Sequence, residues 1–375
     1  MPKSPLDNFL NHQLARRQAE GLIRNLLTDK LPIDFFSNDY LGLARSQELA
    51  LAINETHREL GVGNGSTGSR LLSGNHPFTE EVEASLSKIF KSEACLIFNS
   101  GYAANLAVLS AVPQKGDTIL YDNLSHASLK DGARLSLATR HSFRHNELSD
   151  LEQKMRSAKG KVFVVVESIY SMDGDTCPLS EIMALVERYN AFVIMDEAHS
   201  TGVMGAGGAG FSVAQELHDK IDIRVYTFGK AMGVHGACVA GSRSLIRYLI
   251  NFSRPFIYTT APSPHQVVSI DCAFRFLATC THLQDVLQKK IQLYLSSTRS
   301  LDNRTASDSA IQTLLCPGND NARQAAARLQ HAGFDVRPIL YPTVPRGTER
   351  LRICLHTFNH DEDIRSLTAM VKETI

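Results

Sequence analysis

Apolar and polar positions alternate in blocks along this chain, and the blocks read as a succession of strands and helices. Residues 5–28 place Leu6, Phe9, Leu10, Leu14, Leu22 and Leu26 at roughly helical spacing, which predicts an amphipathic N-terminal helix acting as a packing arm. Residues 33–43 (IDFFSNDYLGL) read as a short strand running into a turn. A Gly/Ser-rich stretch, 61–74, is too varied in sequence for a linker and reads as a structured loop near a site. From residue 76 the order becomes regular: helix 78–90, strand 94–98, helix 102–112, strand 118–121 and helix 126–138. Strand 162–166 (VFVVV), helix 179–189 and strand 191–195 (AFVIM) follow, then weaker strands at 225–227 and 237–240. Unbroken β-branched runs such as VFVVV mark strands buried on both faces. Alternating strand–helix units of this kind predict an α/β fold with a mostly parallel central sheet covered by helices.

The pattern changes near residue 265. Helical stretches at 265–279 and 283–301 lead to helix 322–331, strands 336–340 and 351–354, and a last helix at 361–372, which suits a small α+β C-terminal domain. The expected division is an N-terminal arm (1–45), a large domain (46–265) and a small domain (266–375).

Composition narrows the partners. Lysine plus arginine equals aspartate plus glutamate at 39 each, so no global field draws the chain to nucleic acid or an anionic membrane. No apolar run approaches the length needed to cross a bilayer, and residues 1–17 lack the apolar core of a secretory signal. Seven scattered cysteines without a CxxC pair suit reduced thiols in a cytoplasm, and no metal centre is expected.

Two short motifs mislead. Gly205–Gly210 spells GAGGAG, but eight residues separate it from the strand ending at Asp196, whereas a dinucleotide fingerprint must join strand to helix directly. Asp196–His199 spells DEAH, yet no GxxxxGK[ST] loop exists to cradle a triphosphate. The informative set is Asp196, His199 and Lys230. Asp196 follows five apolar residues and should emerge at the carboxyl end of a central strand, where open parallel sheets bind ligands. Lys230 stands in YTFGKAMG just past another strand, where desolvation would lower its pKa and make it a competent amine for imine formation.

With NDYLGLA (38–44), GSTGSRLLSGN (65–75), FNSGYAANLAVL (98–109), DNLSHASLKDGARLS (122–136), ESIYSMDGD (167–175), VIMDEAHSTG (193–202) and YTFGKAMG (226–233), the chain resembles the α-oxoamine synthases over about residues 33–356. These are fold-type-I enzymes dependent on pyridoxal 5'-phosphate (PLP). The resemblance implies that Lys230 binds PLP covalently and moves the substrate α-proton, Asp196 pairs with the pyridine nitrogen, His199 meets the 3′ oxygen and His126 stacks on the ring. It gives the phosphate to the backbone of Gly101 and Tyr102, to Thr227 and to Thr259 or Thr260 of a neighbouring subunit, with Ser171 supplying a hydroxyl near the cofactor. It gives the substrate to Arg352, Thr343, Asn38 and Arg24, with Ile23 competing for the Arg24 place. A homodimer with shared sites follows. So does a decarboxylative condensation of an amino acid with an acyl-CoA or acyl-carrier-protein thioester, in which L-alanine and a pimeloyl group, the biotin-pathway pair, are favoured. Glycine or serine donors and longer acyl chains are the alternative, and a fold-type-I aminotransferase, a lyase or a non-catalytic scaffold stands further off. The run TTAPSP (259–264), in place of a more usual STALPP-like run, and a slightly short small domain are departures that lie where acyl specificity could be set.

Overall fold

The computed structural model describes residues 4–374. Strand β1 (Ile33–Asp34) is followed by β2 (Ala94–Phe98), β3 (Thr118–Asp122), β4 (Thr139–Phe143), β5 (Val162–Glu167), β6 (Phe192–Asp196), β7 (Ile223–Thr227) and β8 (Ala237–Gly241). Strands β2–β8 form one seven-stranded sheet in the order β2-β8-β7-β6-β5-β3-β4, in which β8 runs antiparallel to both of its neighbours and the others run parallel. Every residue of β5 and β7 is buried, as in a sheet covered on both faces: β5 (VFVVVE) is apolar up to its last residue, while β7 buries Arg224 within it. Strands β9 (Ile311–Leu315), β11 (Arg337–Ile339) and β12 (Arg350–Cys354) form a separate antiparallel sheet in the order β11-β12-β9. Strand β10 (Phe334–Asp335) pairs in parallel with β1, so the segment before residue 45 is tied to the C-terminal part of the chain.

The helix Gly101–Ala111 packs on Ala127–Leu135 through Gly132, where a Cβ would lie 2.9 Å from the Leu109 Cβ and 3.0 Å from the Asn105 carbonyl. That close approach brings Asn105 and the start of the second helix to the carboxyl end of β6.

Several expectations need correction. The N-terminal helix spans Pro5–Ala19, not 5–28: Gly21, at φ +65°, turns the chain out of the helix, and residues 22–31 run on without regular structure. Leu6, Phe9, Leu10 and Leu14 stay exposed and no residue of the helix is buried, so its apolar positions do not serve as a packing face within this chain among the described residues. Strands β4 and β9 and helices Leu148–Ser157 and Arg243–Phe252 carry no expectation at all. Strand β4 (TRHSF) buries only Phe143 at the sheet edge, so it has no apolar run to announce it. The GAGGAG segment forms a tight turn seated on the buried Glu197 carboxylate, which accepts from the Phe211 and Ser212 amides at 2.8 Å each.

Candidate active site

At the carboxyl end of the central strands lies a cavity of about 260 Å³. Asp196 closes β6 and is directly opposite Glu167, the last residue of β5, and Val225 of β7. Its carboxylate is buried but fully engaged: Oδ2 accepts from Asn105 Nδ2 at 2.7 Å and Oδ1 from the Ala198 amide at 2.8 Å. The Asn105 amide also donates to Ser128 Oγ (3.0 Å), which lies 2.8 Å from His126 Nδ1. His126 caps its helix, accepting from the Ser128 amide at Nδ1 (3.2 Å), and its own amide donates to Glu167. It is therefore both a helix cap and a wall of the cavity.

Charge in the cavity is tuned by burial. Burial raises the Glu167 carboxyl first and the Asp196 carboxylate beside it adds to this, pushing it up to about 8. Burial lowers the Lys230 amine below the ordinary lysine range; Arg352 works in the same direction, while Asp196 and Glu167 oppose it without reversing it. His199 is driven well below the ordinary imidazole value by burial and by the Lys230 and Arg352 charges, so its ring is neutral. Its Nδ1 lies 2.8 Å from the Tyr40 hydroxyl, which fixes the ring and leaves Nε2 for a ligand. Burial also lowers His126.

An anion seat opens the same cavity. Ser100 caps the helix Gly101–Ala111, its Oγ accepting from the Ala103 amide at 3.2 Å, and Gly101 and Tyr102, first-turn residues whose amides have no intrahelical acceptor, line the cavity. Thr227, at the end of β7, has its Oγ1 buried with no hydrogen-bond partner among the described residues. A Cβ on Gly101 would lie 2.3 Å from Thr227 Cγ2, so only glycine lets the helix start sit against that hydroxyl. An orphan hydroxyl, helix-start amides, a buried carboxylate and a desolvated lysine around one cavity fit a phosphorylated pyridine aldehyde such as PLP.

The structure thus brings Asn38, Gly101, Tyr102, His126, Asp196, His199, Thr227 and Lys230 around one cavity. Arg352, buried on β12, reaches its edge by donating from Nη2 to Asn38 Oδ1 (3.0 Å), which also accepts from Tyr40 Oη (3.0 Å). Ser171 does not line the cavity: its carbonyl accepts from Arg352 Nε at 2.7 Å, so its contact with the site is through the backbone. Thr259 and Thr260 lie beside Asn99, whose Nδ2 donates to Thr259 Oγ1 at 3.4 Å and to the Thr260 carbonyl at 2.9 Å. Thr343 and Arg24 line a second, larger cavity of about 440 Å³ together with Ile23, Arg17 and Arg323. Glu167, Asn105 and Tyr40 were not singled out by sequence reasoning. Glu167 ends the apolar run VFVVV as Asp196 ends AFVIM, so the signal that exposes one exposes the other.

The profile of the family described as aminotransferase class I and II matches residues 31–367. The chain belongs to the aminotransferase class I and II family. A putative 8-amino-7-oxononanoate synthase of Bacillus licheniformis is 38% identical over 369 residues, covering 96% of each chain. The 8-amino-7-oxononanoate synthase of Alkalilimnicola ehrlichii is 35% identical over the whole of both. Among solved structures, a serine palmitoyltransferase variant from S. paucimobilis with bound PLP–myriocin has a TM-score of 0.89 at 27% identity, covering 99% of this chain and 98% of that one. The 8-amino-7-oxononanoate synthase of Francisella tularensis has a TM-score of 0.78 at 28% identity, covering 91% and 97%. The fold is that of the fold-type-I PLP-dependent transferases.

Proposed function

We propose that this chain is a PLP-dependent α-oxoamine synthase joining L-alanine to a pimeloyl thioester, with loss of CO₂, to give 8-amino-7-oxononanoate. The observation that carries the reading is the convergence of a desolvated Lys230, the buried Asp196 carboxylate and the orphan Thr227 hydroxyl on one cavity. PLP, when bound, supplies an electron sink that lets bonds at an amino acid's α-carbon break heterolytically.

The chain's own residues do the rest. Asp196, oriented by Asn105 and the Ala198 amide, holds a proton on the pyridine nitrogen. Neutral His199, steadied by Tyr40, is a donor or acceptor for the 3′ oxygen at Nε2 without adding charge. The Gly101 and Tyr102 amides with Thr227 Oγ1 hold the phosphate, and Thr259 or Thr260 of a partner subunit completes that seat in a C₂ homodimer. Lys230 Nζ anchors the cofactor and, its pKa lowered by burial, takes and returns the α-proton. His126 covers the ring face. Arg352 turns its planar fork to the amino acid's carboxylate, with Asn38 beside it. Thr343 and Arg24 serve the acyl thioester from the outer cavity. Loss of CO₂ makes the sequence effectively irreversible.

The curated relatives, named for this activity, support the pimeloyl assignment. Serine palmitoyltransferase neighbours favour one second reading, serine or glycine with a longer acyl chain. No helix among the described residues is long and apolar enough to cross a membrane, and all seven cysteines are free thiols, which supports a cytoplasmic enzyme. The deciding experiment supplies the holoenzyme with L-alanine, glycine or L-serine against pimeloyl-CoA, pimeloyl-carrier protein or palmitoyl-CoA and follows thiol release and product mass. The alanine–pimeloyl pair should turn over fastest by at least about 10²-fold, the discrimination a shaped pocket with a polar anchor gives. Turnover only with serine and palmitoyl-CoA would overturn the substrate assignment.

A further inference from the structure

The segment that grips Arg352 is clamped in turn by a residue outside the cavity. After β5 the chain doubles back through residues 168–177, pairing Ile169 with Thr176. Within this hairpin the Tyr170 amide donates to the Asp175 carbonyl (2.9 Å) and the Gly174 amide to the Tyr170 carbonyl (2.8 Å). Its tip crosses to the small sheet. The Ser171 carbonyl accepts from Arg352 Nε (2.7 Å), the Met172 carbonyl accepts from Arg350 Nη1 (3.2 Å), and the Asp173 carboxylate pairs with Arg350. Gly174, at φ +77°, sits so close that a Cβ would lie 2.1 Å from the Ile311 carbonyl oxygen.

The returning leg of the hairpin is held by His145, two residues past β4. Its Nε2 lies 2.7 Å from Asp175 Oδ2, and its Nδ1 lies 3.0 and 3.1 Å from the two oxygens of Asp122. Asp122 ends β3, and its carboxylate also accepts from the Leu124 and Asn146 amides at 2.8 and 2.9 Å, shaping the turn that delivers His126. Asn146 Nδ2 adds a second tie to Asp175 Oδ2 (2.8 Å), and the Tyr170 ring stands edge-on to the imidazole at 4.5 Å. Both ring nitrogens face carboxylates, so both must donate, which requires the imidazolium. Burial alone would lower this group, but the two hydrogen-bonded carboxylates overcome it and hold it up at about 10.

We propose that His145 is a positioning residue, a cross-link between Asp122 and Asp175 that keeps the Arg352 hairpin in register with the His126 turn. The amino acid is then held by its carboxylate at the distance that puts its α-carbon between His126 and Lys230. Such alignment is sensitive to displacements of an ångström, so loosening one anchor weakens productive binding without removing a reacting group. The inference rests on the reading above that Arg352 takes the substrate carboxylate.

The test compares holoenzymes carrying His145→Gln, Asp175→Asn and both changes. Each is assayed for PLP affinity, melting temperature, kcat, and KM for whichever of L-alanine, glycine and L-serine the unmodified enzyme uses best. Asp175→Asn keeps the shape of the hairpin and stands in should the histidine variant fold poorly. Each single change should raise the amino-acid KM about tenfold while leaving kcat and PLP affinity within about threefold, the signature of weakened substrate positioning. The double variant should be close to the worse single, because both changes break the same His145–Asp175 contact. An amino-acid KM within twofold of the unmodified enzyme, additive effects, or a parallel fall in melting temperature, PLP affinity and kcat would overturn the proposal. PLP affinity and the choice of amino acid are recorded on the unmodified enzyme first, so an error in the proposed reaction is seen there, apart from an error about His145.

Discussion

The two sides of the active site are built to different standards. On the cofactor side, Asp196, Asn105, Ser128 and Glu167 are buried and, with the more exposed His126, form one connected set on strand ends and helix starts of a single sheet. On the other side, proposed above for the acyl thioester, Arg24, Ile23 and Thr343 line a cavity between the exposed N-terminal segment and the loop before β12. Regular elements hold the first set, whereas exposed, irregular segments carry the second, to which the proposed function gives the acyl thioester. The chemistry is therefore legible to the residue and the acyl substrate only to the class.

This contrast can be broken from either side. Asp196→Asn should have the largest effect, lowering turnover by about 10²–10³-fold, as loss of a preorganised charge does, while the overall fold persists because Asn has the same shape and keeps one of the two accepted hydrogen bonds. Steady-state rates and a melting curve check both halves; a rate within tenfold of the unmodified enzyme would dissolve the claimed asymmetry. Arg352→Lys should come next, raising the amino-acid KM by about 10–100-fold with a smaller change in kcat, since a point charge cannot replace a bidentate fork. Arg24→Ala should change the thioester KM by about threefold or less and the amino-acid KM not at all, as expected of an exposed contact. A large effect there would move Arg24 into the well-ordered half.

The smallest effect concerns pH. Glu167 is raised to about 8 in the folded protein, mainly by burial and then by Asp196, against an ordinary carboxyl value of 4.5. A raised pKa means the folded protein keeps this proton where the unfolded chain has lost it. Its contribution to stability is therefore full below about 4.5 and is lost as the pH climbs towards 8. Melting temperatures of Glu167→Gln and unmodified protein at pH 5, 6.5 and 8 should diverge steadily in favour of the variant; parallel melts would show that Glu167 is not held protonated.

Much of this site follows from single words in the chain. An apolar run ending in Asp196 marks a strand whose carboxylate faces the ligand edge, and the lysine three residues past β7 marks its counterpart. Glu167 obeys the same rule and stayed unnoticed because a glutamate ending a strand, taken alone, is unremarkable. His145 and Tyr40 could not be read in advance, since their partners Asp175 and His199 lie 30 and 159 residues away and only the folded sheet brings them together. The N-terminal arm failed for a local reason: apolar spacing continued to Leu26, but Gly21 had already turned the backbone left-handed. Strand β9 pairs with β12 in the small sheet yet is short, carries Gln312 and Thr313 between its apolar residues, and follows a polar stretch whose Ser307 and Ser309 hydroxyls satisfy the adjoining backbone.

The central claim is that Lys230 holds the cofactor. Holoenzyme reconstituted with PLP should be reduced with borohydride, digested and mapped by mass spectrometry, beside a Lys230→Ala variant treated in the same way. The account predicts a phosphopyridoxyl group on Lys230 alone and none on the variant. Modification of a different lysine, or an undiminished label on Lys230→Ala, would contradict it.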